Sequence, residues 1–199
     1  VLFIVISILL GIFYSVPPVK LKGRPIADTL ANSIGYGMIN FCVGWLLIRH
    51  FELSMFSRFI PYFLSISAVF INTTIVDMKG DRRAGEITTA VFLGARVSYM
   101  VSTILMLGAV IMAFILNDYI CFIPAVISLP LFIYVTVYSF KKNKVHRKLT
   151  IASFRLAGLC FTLITAFLYP PYFLILIIVL VGMRIYYKMR FGVVYPTLA

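Results

Sequence analysis

The stretch IVDMKGDRRAGEITTAVFLG, residues 75–94, sets Asp77 and Asp81 four residues apart and follows them at once with Arg82 and Arg83. On a helix that spacing stacks the two carboxylates on one face. At a helix C-terminus the macrodipole also opposes negative charge. A hard divalent cation relieves both problems, and Mg²⁺ favours carboxylates, usually alongside substrate phosphates. Gly80 and Gly85 are expected to let the backbone turn between and after the acids. The competing reading is an interfacial loop in which Lys79, Arg82 and Arg83 pair with Asp77, Asp81 and Glu86. A DxxxD spacing by itself does not decide between the two.

A second candidate loop, YSVPPVKLKGRPIAD, runs from Tyr14 to Asp28. Pro17 and Pro18 predict an extended exit from the preceding segment. In an extended chain the alternating Lys20, Lys22 and Arg24 point the same way. Three cations on one edge at a membrane surface suit a polyphosphate group, with anchoring to anionic lipid as the simpler alternative.

The elements that must position these loops are set by composition. The chain has 199 residues, is 62% hydrophobic and only 12% charged, about half the charge of a soluble domain. Apolar runs near the spanning length recur at 1–14, 30–48, 58–76, 97–116, 120–140, 149–168 and 172–187, which predicts an all-α polytopic membrane protein. Pro61, Pro124 and Pro130 fall inside these runs, where membrane helices tolerate them as kinks. Cys42, Cys121 and Cys160 stand singly in apolar runs and the two histidines are far apart, so neither a disulfide framework nor a zinc site is expected.

Threading the seven segments alternately places sixteen of the eighteen Lys and Arg residues on one side, leaving Arg49 and Arg58 on the other. That asymmetry is the positive-inside pattern, so the basic side is expected to be cytoplasmic. The net charge of +12 is therefore a membrane-topology signal and not a nucleic-acid footprint. The sequence opens on Val1 inside an apolar stretch too short to span, with neither the basic region nor the cleavage site of a signal peptide. Residues 1–199 are read as one transmembrane domain, the C-terminal part of a longer chain.

Polar stripes border the charged loops. Segment two carries Asn32, Tyr36 and Asn40; segment three Tyr62, Ser65, Asn72 and Thr73; segment four Arg96, Tyr99 and Thr103. Such stripes face a bundle interior, either as interhelical hydrogen bonds or as the lining of a cavity. Ala27, Ala31 and Gly35 give segment two a small-residue face for close packing.

These residues resemble a known family. YSVPPVKLKGRP followed by Asp28 and Asn32 resembles the YSxPPxRLKxRPxxDxxxN stretch found in part of the UbiA superfamily of intramembrane prenyltransferases. DMKGDRRAGEITT is similar to that superfamily's second Asp-rich motif, with Asp77, Asp81, Gly85 and Thr88 at the matching places. The tail RIYYKMRFGVVYP is similar to some members. The resemblance implies a UbiA-like transmembrane helix bundle whose cytoplasmic loops cap a lipid-lined cavity. It also implies Mg²⁺-dependent transfer of a prenyl group, of geranylgeranyl type, from an allylic diphosphate to a lipophilic acceptor. On that basis Asp77 and Asp81 are metal ligands and, with Lys20 and Lys22, the catalytic set. Tyr14, Arg24, Asn32, Asn72, Thr73, Arg82 and Arg83 are the expected substrate contacts. Tyr36, Phe70 and Tyr99 are candidates for shielding a carbocation. The family's first Asp-rich motif is absent, so the missing N-terminal helices are expected to carry it and this stretch alone to be inactive.

Two alternatives remain. A polytopic transporter would place ionisable groups near mid-membrane, whereas here they gather at one surface. A different Mg²⁺-dependent lipid enzyme, the CDP-alcohol phosphotransferase type, needs an Asp-Gly…Ala-Arg run that residues 60–76 lack.

Overall fold

A computed structural model describes residues 2–194; Val1 and the end of the tail motif, with Tyr195 and Pro196, lie outside the described residues. Each predicted segment is a helix, and no strand occurs among the described residues. The helices are α1 (Leu2–Ser15), α2 (Ala27–Ile48), α3 (Ser54–Arg83), α4 (Thr89–Ile115), α5 (Tyr119–Lys142), α6 (Arg147–Leu168) and α7 (Pro170–Phe191). The last six are long and apolar enough to cross a membrane; α1 is shorter.

The helices overrun the apolar runs where they leave the hydrocarbon. α3 continues through Asp77 and Asp81 to Arg83, and α4 starts at Thr89, well before the predicted 97. A 30-residue helix is about 45 Å long against a hydrocarbon core of about 30 Å. The acid-bearing end of α3 therefore projects past the apolar layer.

Helices α3 to α6 pack as consecutive neighbours, and α6 returns against α3. Two clusters fill the space between them: Ile71, Ile75, Ala90, Tyr99 and Val135, then Ala68, Met106, Ala125 and Phe132. α2 packs on α3, α1 rests against α2, and α7 rests against α6. Neither α1 nor α7 buries a residue. At the less basic end, Arg49 and Arg58 both lie over the Trp45 ring, at 5.2 and 6.0 Å from its centroid, as suits an interfacial aromatic.

The polar stripes serve mostly as ties between helices. Asn72 is fully buried, donates to Ser153 Oγ on α6 at 3.0 Å and accepts from Ser102 Oγ on α4 at 2.8 Å. Tyr99 meets Thr150, Thr103 meets Thr136, and Tyr62 donates to Asp118 Oδ1 at 3.1 Å. Each satisfies groups that lipid cannot.

The close approach of α2 to α3 also differs from the expected small-residue face. α2 is π-helical from Ser33 to Ile39, and the wider turn shifts which residues face a neighbour. Gly37 makes the contact instead: a Cβ there would sit 2.8 Å from Phe63 Cα, whereas one on Gly35 would meet only Leu10 Cδ2 on α1 at 3.5 Å. Gly37→Ala is expected to destabilise the bundle by about 1–3 kcal/mol through overpacking. Gly44→Ala, with nothing within 4 Å, should leave the melting temperature in detergent nearly unchanged. Equal melting of both variants would refute the contact.

Candidate active site

The projecting end of α3 carries the paired acids, with Asp77 exposed and Asp81 half-buried. Asp81 Oδ2 accepts a hydrogen bond from Thr88 Oγ1 at 3.0 Å. Gly85, at φ 72°, turns the chain after the helix, as the glycine reading expected. Gly80 does not turn: it lies within the helix, with open space where a Cβ would be.

The loop from Ser15 to Ala27 departs from the extended form that its prolines predict. It is wound back on α1, with Lys20 N donating to Val16 O, Leu21 N to Phe13 O and Lys22 N to Tyr14 O, all at 2.9–3.0 Å. Lys20 and Ile26 adopt positive φ, a conformation that side chains normally avoid. The three cations consequently diverge. Lys20 pairs with Glu86 Oε1 at 3.3 Å, Arg24 donates to Pro18 O at 2.9 Å, and Lys22 alone lines the cleft beside the acids.

Asp28 holds this loop in place. It is 1% exposed. Its carboxylate accepts from Thr29 N at 2.6 Å, from Thr89 N at 2.9 Å and from the Thr89 hydroxyl. Two further bonds reach across: Ile26 N donates to Thr89 Oγ1 at 2.8 Å, and Ile87 N donates to Gly23 O at 3.0 Å. The first motif is thereby fastened to the residues that follow the second, which brings Lys22 and Asp81 to one cleft.

That cleft has a volume of about 810 Å³. It gathers Tyr14, Lys22, Thr73, Asp77, Asp81 and Arg82 among the expected site residues, and Phe70 among the aromatics. Lys20, Arg24 and Arg83 lie outside its lining. Asn72 is walled off in the α3–α4–α6 junction. Asn32 donates to Asp28 O at 2.9 Å and, with Tyr14, lines an adjoining cavity of about 200 Å³ between α1 and α2. Tyr36 is 66% exposed beside that cavity, and Tyr99 is enclosed in the core.

Thr88, Asp28 and Arg147 also line the cleft, outside the expected site residues. Thr88 is the threonine of the second motif, and its bond to Asp81 follows from the short turn at Gly85. Asp28 belongs to the first motif. Arg147 enters from the start of α6; only the packing of α6 on α3 brings it there, and its sequence signal was no more than one cation in a basic loop.

Asp77 and Asp81 fit a hard cation: two carboxylates on adjacent turns line one open cleft, with Lys22, Arg82 and Arg147 positioned for an anion beside it. No group of three or more His, Cys, Asp or Glu occurs among the described residues, so metal held here would take its remaining oxygens from water and substrate.

The model of the UbiA prenyltransferase family matches residues 1–155. The chain belongs to the UbiA prenyltransferase family. Comparison with curated proteins and with solved structures gave no significant match. Membership makes this UbiA chain an integral, multi-pass membrane protein of prenyltransferase type, acting on a prenyl diphosphate and a lipophilic acceptor. Every residue lining the cleft of this UbiA chain falls within the matched region, while α7 lies beyond it.

Proposed function

We propose that the cleft binds the diphosphate of an allylic donor, of geranylgeranyl type, and that Asp77 and Asp81 hold Mg²⁺ against it. The observation carrying this reading is a carboxylate pair that lines one cleft together with Lys22, Arg82, Thr73 and Phe70. Bound Mg²⁺ would neutralise charge developing on the leaving group. Lys22 and Arg82 contact diphosphate oxygens, and Tyr14 donates a hydrogen bond to them. As the allylic C–O bond breaks, these fixed charges stabilise the departing diphosphate. Phe70 presents an aromatic face to the carbocation and helps exclude water until the acceptor attacks. Lys20 acts through its ion pair with Glu86, as a brace for the loop that carries Lys22.

The remaining acids are committed elsewhere. Asp28 is satisfied by Thr29 and Thr89, Glu86 pairs with Lys20, Glu52 accepts from Ser54, and Asp118 lies with Tyr62 at the other end. Asp77 and Asp81 are thus the two acids left for a metal in the cleft. Membranes containing the full-length protein, incubated with Mg²⁺ and prenyl diphosphates of several lengths, should release diphosphate and yield a lipid heavier by the prenyl unit in mass spectrometry. Release and product that are absent with every donor would overturn the reading.

The loops that cap the cleft are proposed to face the cytoplasm. In a cysteine-free background, single cysteines at Lys144 and Asp118 should label from opposite sides of sealed vesicles, with Lys144 on the cytoplasmic side. Labelling from one side only would refute this threading.

A further inference from the structure

A second cavity, of about 360 Å³, lies beside the cleft at the same basic end of the bundle, and the two share Ala95 and Val145 as a wall. It exists because α4 is broken. Gly94, at φ 76° and ψ 159°, interrupts the helix, which starts again at Ala95. Non-helical backbone at a glycine this near the membrane surface is tolerated where it lines a cavity, and Gly94, Ala95, Arg96 and Val97 all line this one.

The groups around it are donors. Arg96 enters from the restarted helix and Lys144 from the α5–α6 turn; neither has a carboxylate partner among the described residues. Ser139, on the last turns of α5, is 1% exposed and lines the same cavity. The first N–H groups of a restarted helix lack helical partners and carry partial positive charge. No acidic side chain lines the cavity. A guanidinium, an ammonium, a buried hydroxyl and a helix start, converging without an acid, form the chemistry of an anion site.

We infer that this cavity binds a phosphate group, separately from the cleft, through Arg96, Lys144 and Ser139. Its position at the membrane surface admits two sources of that group: the head of an anionic phospholipid or a free inorganic diphosphate.

Binding to purified protein in a non-ionic detergent, with EDTA present, separates these sources. Short-chain phosphatidylglycerol probes the first and sodium diphosphate the second. EDTA suppresses any metal-dependent binding in the cleft. At least one probe is expected to bind, with affinity reduced about tenfold in Arg96→Gln with Lys144→Gln. Lys144→Gln alone, on an exposed turn, should give a smaller loss and keeps the test informative if the double variant fails to fold. Lys141→Gln, outside the cavity, should change affinity less than twofold. Binding of the lipid alone, the anion alone or both identifies the source and supports the site. Failure of both probes, unchanged binding in the Arg96 and Lys144 variants, or an equal loss in Lys141→Gln overturns it.

Discussion

Asp77→Asn and Asp81→Asn are each expected to lower prenyl transfer by at least about 10²–10³-fold, the range seen when one preorganised charge-stabilising group is lost. Asn nearly matches Asp in size but removes the charge that the proposed metal requires. The fold should survive both changes. Asp77 is exposed, and in Asp81→Asn the introduced amide oxygen can still accept the hydrogen bond that Thr88 now gives Asp81 at 3.0 Å. Turnover with the preferred donor, read together with helix content and melting temperature in detergent, checks the prediction. Both variants within a few-fold of wild type would remove Asp77 and Asp81 from the metal role.

Asp28→Ala is expected to cost about 3 kcal/mol of stability and to reduce turnover as well. The carboxylate of Asp28 is buried and answers the amide N–H groups of Thr29 and Thr89. Leaving buried donors unsatisfied costs roughly 1–3 kcal/mol each. The loss extends to the cleft, because the same carboxylate fastens the loop carrying Lys22 to the start of α4. Asp28→Asn keeps an acceptor oxygen but turns an NH₂ group toward existing donors, so it should fall between alanine and wild type in melting temperature. An Asp28→Ala protein that melts and turns over like wild type would show that the loop is held by other contacts.

The helices were legible because lipid enforces them: a spanning segment must be apolar along its length and must satisfy its own backbone. The pairing of the two motifs was legible at the level of the family resemblance. The loop between α1 and α2 was not. Its local prolines favour an extended chain, whereas Lys20 and Ile26 take left-handed backbone angles, and Ile26 and Gly23 are tied to Thr89 and Ile87, more than sixty residues away. The cations at 20, 22 and 24 were therefore read as one edge when only Lys22 reaches the cleft. The polar stripes also carried two meanings that periodicity does not separate. Thr73 lines the cleft, whereas Asn72, its neighbour in sequence, points into a three-helix junction. Arg147 was invisible for a related reason, since its place depends on how α6 packs and not on the residues around it.

The Asn72 junction makes the interior of the bundle depend on a helix far along the chain. Its amide oxygen accepts from Ser102 on α4, but its amide nitrogen donates to Ser153 on α6, 81 residues further along the chain. Without α6, the inner face of α3 would keep an unpaired amide where lipid offers no partner. The same helix carries Arg147 into the lining of the cleft. Closing the bundle and completing the cleft are thus the work of one helix.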